Sequence, residues 1–413
     1  MSKSLRQIAS EMDPLADPKT GVRLSAILDQ HRWPADTPRS ERSLGEVVRR
    51  HTDSDTIRFL SYNTFLTQFV IKMPGFIPDI QVKAKPALHQ RAHEIGRRVR
   101  LDYDFVSLYE VMQTEQRDEI LSNWDPSPLP DNHYGGSLSS LFTISPKFKI
   151  VRRAQATYHS KGKFTSVTIV PVVGPTVDVS LDSDFYAEKG VMLTEILTPH
   201  GNIEVYSTHL FFGGGLDDVA LLVNVLTPLN KHISESNPGE RFNTQLAELS
   251  QLGDFYSEQH RPENIALICG DFNIDGADPA KFASMKRLIG GLGFKDAWAE
   301  GPFRNDITGG YTTRNDDGNG PTQLDFKAIC PVLPGNEDYC DDASRPATQL
   351  EFDGIGRYDY IFVQDAHPSH TAILDLTRVR RRQFRHHSDT GDQEFLSDHL
   401  GLETTLIVSS KPA

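Results

Sequence analysis

Three cysteines in 413 residues cannot build a disulfide scaffold. No window holds the run of about 18 apolar residues that a membrane-spanning helix requires. Internal repeats and long low-complexity tracts are absent, so a solenoid or a tether is excluded. Positive charge is in deficit, with 43 Lys and Arg against 56 Asp and Glu, a formal net charge of −13. That balance argues against a broad basic face that coats nucleic acid. It leaves a nuclease open, because divalent metal or a local basic cluster offsets the repulsion. No apolar h-region follows Met1-Ser2-Lys3-Ser4-Leu5, so the expected location is the cytoplasm, with leaderless export as the alternative. What remains, 38% hydrophobic and 24% charged, is the composition of a globular protein large enough for a decorated two-sheet α/β fold.

Residues 1–55 are polar and mixed in charge, and their short apolar spacings suggest two helices packed onto something larger. This N-terminal helical extension is expected to precede one catalytic unit over 56–413. Ile57 to Leu66 reads as a strand. After Pro86, Leu88, Ala92, Ile95 and Val99 repeat on one helical face. Strands are expected at Phe105–Glu110, 138–145, 164–173, 191–197 and 203–210, with Pro199-His200-Gly201-Asn202 as the turn before the last. Leu246, Leu249, Leu252 and Tyr256 predict a helix before the apolar run Ile265–Cys269, and 281–292 predicts another. Strands at 358–363, 371–376 and 400–408 complete the pattern. Many strands with interspersed helices predict two packed mixed sheets covered by helices, an α/β sandwich.

The chemistry-bearing residues fall at strand ends. Gly270-Asp271-Phe272-Asn273 follows a buried strand and delivers a carboxylate and a carboxamide two residues apart. An EF-hand is the rival reading, but its twelfth position is Phe282 where a bidentate Glu is needed. Glu110 closes an apolar strand, where a carboxylate is costly unless it is paired or holds a metal. Asn63 closes its own strand and is equally compatible with a turn. His209 precedes Phe211-Phe212-Gly213-Gly214-Gly215, whose glycines permit close backbone approach to a ligand. A lone strand-end histidine is more often a satisfied core residue. Ser397-Asp398-His399 presents a carboxylate and an imidazole together, and Asp359 is acidic inside the apolar strand Tyr358–Val363. Pairing to a histidine explains its position. Cys269 reads as an inert core thiol, whereas Cys330 and Cys340 bracket a loop that a small disulfide is able to close.

The ordered series Asn63, Glu110, His209, Asp271-Phe272-Asn273, Tyr358-Asp359 and Ser397-Asp398-His399 resembles the endonuclease/exonuclease/phosphatase superfamily over roughly residues 56–409. The resemblance implies a four-layer α/β sandwich, dependence on Mg²⁺ (with Mn²⁺ or Ca²⁺ as alternatives) and direct attack of water on phosphorus. It further implies Glu110, Asn63 and Asp398 on the metal side, and Asp271 orienting or deprotonating the water. Asn273 would stabilise transition-state oxygens, and His209 would bind a phosphoryl oxygen or assist the leaving group. Asp359 would orient His399.

Within that superfamily, Ser207-Thr208-His209-Leu210 and Arg241-Phe242-Asn243-Thr244-Gln245-Leu246-Ala247-Glu248-Leu249 resemble the sphingomyelinase-like branch. The expected substrate is then a phospholipid head group. Apolar residues 65–78 beside Asn63 suit a loop that dips into a bilayer, or else plain packing. Arg380, Arg381 and Arg382 lie in the basic run 378–387, which is either a phosphate clamp or a solvated loop. They keep a DNase I-like nuclease as the alternative. A non-catalytic binding protein on the same fold is the third reading.

Overall fold

The computed structural model describes residues 54–66, 68–71, 80–83, 88–123, 140–143, 148–158, 165–169, 177–180, 189–211, 231–235, 238–276, 278–298, 339–340, 356–376, 379–382, 384–387, 393–397 and 399–410. Along the chain, β1 (Ser54–Leu66) leads through α1 (Leu88–Asp102) to β2 (Phe105–Val111), followed by α2 (Thr114–Leu121), β3 (Ser140–Thr143) and β4 (Lys149–Thr157). Next come β5 (Gly190–Thr198), β6 (Gly201–His209), α3 (Pro238–Gln259), β7 (Ile265–Asp271), α4 (Pro279–Gly291) and β8 (Phe294–Asp296). The remainder supplies β9 (Tyr339–Cys340), β10 (Asp359–Gln364), β11 (Ala372–Leu376), β12 (Arg380–Arg382) and β13 (Gly401–Ser410).

Two mixed sheets result. The first has the order β9-β12-β13-β1-β2-β3, with β11 also on β13; the second has the order β8-β10-β7-β6-β5-β4. Period-2 alternation sorts each strand's side chains into layers. On β1, Ile57 and Phe59 face the space between the sheets, while Leu60 and Tyr62 meet Ala92, Ile95 and Val99 of α1. On β7, Ile265, Leu267 and Cys269 face inward, while Ala266 and Ile268 pack under Leu249 and Leu252 of α3 and Leu288 of α4. Both faces of these strands are covered, which is why β7 is buried at every position. The architecture is the expected α/β sandwich, with helix, sheet, sheet and helix in succession.

β1 begins at Ser54, inside the segment assigned to the N-terminal extension, and the two helices expected there lie outside the described residues. Residues 65–78, expected as a loop, contain a strand at Gln68–Ile71 that pairs antiparallel with Ile80–Lys83. The basic run is not a loop either. β12 is hydrogen-bonded to β13, with Arg380 opposite Glu403, and Arg385–His387 pairs with Gln393–Phe395. Sheet pairing satisfies that backbone, and an arginine-rich run hides the alternation that would announce it. Cys269 is buried, and burial pushes its thiol above its ordinary value, consistent with an inert core residue. Cys330 and the side chain of Cys340 lie outside the described residues. The EF-hand rival has no place here. Asp278 caps α4 by accepting from Ala280 N and Lys281 N, and Asp275 accepts from Arg357 N.

Gly270 adopts φ of 153°, and a Cβ there would strike the Thr208 carbonyl on β6. Gly270→Ala is therefore expected to lose on the order of 1–3 kcal/mol through strain and steric conflict. A urea midpoint equal to wild type would contradict this.

Candidate active site

Among the described residues each sheet contains one parallel pair with a helix between its strands in sequence: β1 and β2 around α1, and β6 and β7 around α3. Parallel strands present their carboxyl ends at the same edge, where ligands of open α/β sheets bind. Asn63, Glu110, His209 and Asp271 occupy those four ends, with His209 in register with Asp271. Antiparallel neighbours bring their starts to the same edge. Asp359 opens β10 opposite Asp271, and His399 sits two residues before β13.

Alternation by itself would send Glu110 toward the α1 side, because Val106 and Leu108 face that layer. The backbone breaks the alternation with φ of 58° at Glu110, and the β1–β2 register shifts beyond Asn63. Glu110 thereby meets Asn63, whose Nδ2 donates to Glu110 Oε1 and to Asp271 Oδ2, each at 2.9 Å. An amide carries two N–H donors, so the 3.5 Å approach of His399 Nε2 is a contact rather than a third hydrogen bond. His399 Nδ1 lies 2.7 Å from Asp359 Oδ2. That pairing places the proton on Nδ1 and leaves Nε2 as the acceptor facing the site, 3.7 Å from Asp271 Oδ2. His209 Nε2 approaches the same Asp271 oxygen at 3.6 Å and Glu110 Oε1 at 3.8 Å. Asp271 Oδ1 accepts from the backbone N–H of Asn273, and Asn273 Nδ2 donates to Leu210 O.

Asn63, Glu110, His209, Asp271, Asn273, Asp359 and His399 are thus gathered from both sheets into one place. Asp398 lies outside the described residues, as do the side chains of Arg380, Arg381 and Arg382.

Burial, reinforced by the Asp359 carboxylate, pushes Asp271 up to about 7, against the opposing pull of His399, Lys189 and the Asn63 hydrogen bond. A site crowded with carboxylates suits a cation. Glu110, His209 and Asp271 bring one ligand atom each within 4.8 Å of one another, and Asp271, Asp359 and His399 do likewise. A pair of carboxylates fits a hard divalent ion such as Mg²⁺, although the imidazoles also suit softer metals.

Sequence reasoning missed the side chains that hold this edge in shape. Arg91 of α1 is 5% exposed. Its guanidinium donates to the carbonyls of Thr64, Phe65 and Leu396, tying the end of β1 to the segment leading into His399. Ser397 Oγ adds a second tie by donating to Asn63 O and accepting from His399 N. Lys189 donates to Leu210 O, the carbonyl that also receives Asn273. Gln245 donates to the carbonyls of Phe211 and Asn273, and Glu248 accepts from Phe211 N. Gln245 and Glu248 had a signal in the α3 motif, and the contacts now give that motif a physical purpose.

No protein-family model matches the chain, and no curated protein matches it. Solved structures of similar shape include D. rerio TDP2 complexed with a single-strand DNA product, at 13% identity and a TM-score of 0.47, over 85% of this chain and 98% of that one. Sphingomyelinase C from Streptomyces griseocarneus matches at 15% identity and a TM-score of 0.44, over 85% and 99%. A beta toxin mutant from Staphylococcus aureus with bound magnesium ions matches at 14% identity and a TM-score of 0.42, over 86% and 100%. Likenesses this distant leave the functional assignment to the chemistry of the site.

The Asp271 shift carries a sign. Its folded value of about 7 exceeds the roughly 3.9 of an unfolded aspartate, so this group's ionisation opposes folding. The penalty is absent below about pH 4 and grows as pH rises toward 7. In metal-free protein, Asp271→Asn is expected to raise the urea midpoint relative to wild type at pH 8, and the difference should shrink toward pH 5. A difference that grew on acidification would refute the raised value.

Proposed function

We propose that this chain is a divalent-metal-dependent phosphodiester hydrolase in which water attacks phosphorus directly. One observation carries the reading: the buried Asp271 carboxylate faces two imidazoles at 3.6 and 3.7 Å and the Asn63 amide at 2.9 Å. Carboxylate, imidazole and amide on a rigid strand edge are the groups needed to orient a water and accept its proton. When bound, the metal supplies Lewis-acid polarisation of a phosphoryl oxygen. Glu110 would hold it, with Asp398 as a further residue on that side, while Asn63 would orient Glu110 through Nδ2 and meet the metal only through the remaining lone pair of Oδ1.

Asp271 orients the attacking water, and its raised proton affinity suits it to take the proton near neutral pH. Asn273 keeps one amide N–H for a phosphoryl oxygen while the other holds Leu210 O. His209 donates to a phosphoryl oxygen or to the departing alkoxide. Asp359 fixes the His399 tautomer so that Nε2 points at the reaction, the same division of labour as in a hydrolase triad.

The substrate read first is a phospholipid head group of the sphingomyelin type, supported by Thr208-His209-Leu210 and by the α3 motif whose Gln245 and Glu248 brace the site. DNA is the second reading, supported by Arg380–Arg382 in the strand beside β13. Hydrolysis of sphingomyelin, phosphatidylcholine, plasmid DNA and an inositol phosphate, each with Mg²⁺ and with EDTA, separates them. Plasmid cleavage without release of phosphocholine would discard the lipid reading.

Glu110→Gln should nearly abolish turnover with Mg²⁺ while leaving the thermal midpoint within a few degrees, because the amide keeps the shape and loses the charge. Full activity of that variant, or of wild type in EDTA, would defeat the metal assignment. Asp359→Asn should reduce kcat by at least roughly 10²-fold, the scale of lost acid–base assistance. A kcat within a factor of about three would show that His399 needs no such orientation.

A further inference from the structure

One rung below the site, on the inward faces of its four parallel strands, lies a second layer of polar side chains that the chemistry above does not use. Ser61 precedes Asn63 by two residues, Ser207 precedes His209 by two, and Cys269 precedes Asp271 by two, while Ser107 and Tyr109 precede Glu110 on β2. All five are completely buried. On β1, β6 and β7 the spacing follows from period-2 alternation, which stacks Ser61, Ser207 and Cys269 beneath a site residue on the face between the sheets. On β2 the backbone break at Glu110 returns that carboxylate to the face Ser107 and Tyr109 share.

Their hydrogen bonds form one chain that crosses the sandwich twice. Ser107 Oγ on the first sheet donates to Ser207 Oγ on the second at 2.7 Å. Tyr109 OH donates across the same gap to Cys269 Sγ at 3.3 Å. Within the sheets, Ser61 Oγ and Tyr109 OH share a hydrogen bond of 2.9 Å, and Ser207 Oγ lies 3.7 Å from Cys269 Sγ. Deeper between the sheets the contacts are apolar, through side chains such as Phe59, Phe105, Val205 and Leu267, and at the far end His200 of the β5–β6 turn reaches Asp55 and Ser410. Apolar packing is non-directional and tolerates small sliding, whereas a hydrogen bond in a dry interior fixes distance and angle.

We propose that Ser61, Ser107, Tyr109, Ser207 and Cys269 form a positioning layer that sets the spacing between the two halves of the site. Asn63 and Glu110 come from one sheet, His209 and Asp271 from the other, and the layer locks the sheets together immediately beneath them. The purpose given to that spacing rests on the hydrolase reading; the mechanical claim does not. Misplacement of about 1 Å costs on the order of 10²-fold in rate, so looser coupling should register in turnover before it registers in fold.

The test compares Tyr109→Phe and Ser107→Ala with Tyr206→Phe. Tyr206 is also fully buried, but its hydroxyl donates to Glu204, toward the opposite end of β6. Three readouts are taken: the urea midpoint, kcat and KM on bis(4-nitrophenyl) phosphate with Mg²⁺, and the imidazole resonances of His209 and His399 in metal-free protein. Tyr109→Phe should lower kcat at least about tenfold with KM within about twofold, and should move both imidazole resonances. Tyr206→Phe should do neither. Ser107→Ala, which removes one oxygen and little volume, should repeat the pattern more weakly if Tyr109→Phe fails to fold. Imidazole resonances unmoved by the layer variants, or moved equally by Tyr206→Phe, would overturn the proposal. A wild-type protein that turns over no phosphodiester would overturn the hydrolase reading alone, because the resonances still decide the mechanical claim.

Discussion

The burial of carboxylates side by side, with the repulsion between them added to the loss of water, is the constraint around which this molecule is organised. Asp271 and Asp359 are almost fully buried, and Glu110 is only slightly exposed. Each neighbouring group reads as a response to that charge. The Asn63 amide stands between Glu110 and Asp271 and donates to both. His399 takes up Asp359, and the buried Lys189 cation favours the ionised form of Asp271. The compensation is incomplete, since Asp271 still rises to about 7. Such a group gains from a divalent cation what the protein does not itself supply.

Holding these side chains together also requires backbone that ordinary strands do not adopt. Phe65, Glu110 and Asn273 have φ of 50°, 58° and 50°, all non-glycine and all within two residues of a site carboxylate or amide. Left-handed backbone of this kind costs roughly 1–2 kcal/mol per residue. Something must over-determine it. At Phe65 the carbonyl is gripped by Arg91, and its N–H donates to Asn63 Oδ1. At Asn273 the backbone N–H, backbone carbonyl and side chain are all engaged, by Asp271, Gln245 and Leu210 respectively. These are strand exits made rigid at both sides of the chain, unlike loops that merely pass the site.

The strands that carry the site were legible because their apolar runs end in polar residues, a pattern with no purpose unless something is bound there. Ile265–Cys269 before Gly270-Asp271, and Phe105–Tyr109 before Glu110, are the clearest cases. The pairing of Asp359 with His399 was legible for the same reason. β4 was not, because Lys149, Arg152 and Arg153 break the apolar count in a strand at the sheet's border that is only partly buried. β8 is three residues long and carries no periodicity at all. Arg91 and Lys189 left no local trace, since a cation spent on distant carbonyls looks like any surface cation in sequence. Arg91 meets Leu396 across 305 positions. The serine and cysteine rungs beneath the site were written in the strands at fixed spacing, but each is a small residue that a hydropathy pattern passes over.

The two ends of β6 show why the crowding of charge at the site is informative. Toward its start, Glu204 stands directly opposite Glu195 of β5, and both are fully buried. Burial pushes each of them up, as it does Asp271. Hydrogen bonds reverse the outcome: His260, Tyr206 and Asn264 hold Glu204 below its ordinary value, and Asn202, Arg152 and Asn264 do the same for Glu195. Arg152 bridges the pair at 2.6 and 2.8 Å. The same strand, running on to His209, reaches Asp271, where burial together with the Asp359 carboxylate outweighs the donors and leaves the group above its ordinary value. Desolvation is common to both ends, so the donors decide. A fold able to neutralise two facing glutamates with arginine and asparagine does so at one end of the strand and not at the other. At the near end a divalent cation and a phosphate ester can complete the charge balance, and closing that end with arginine would remove the reason for either to bind.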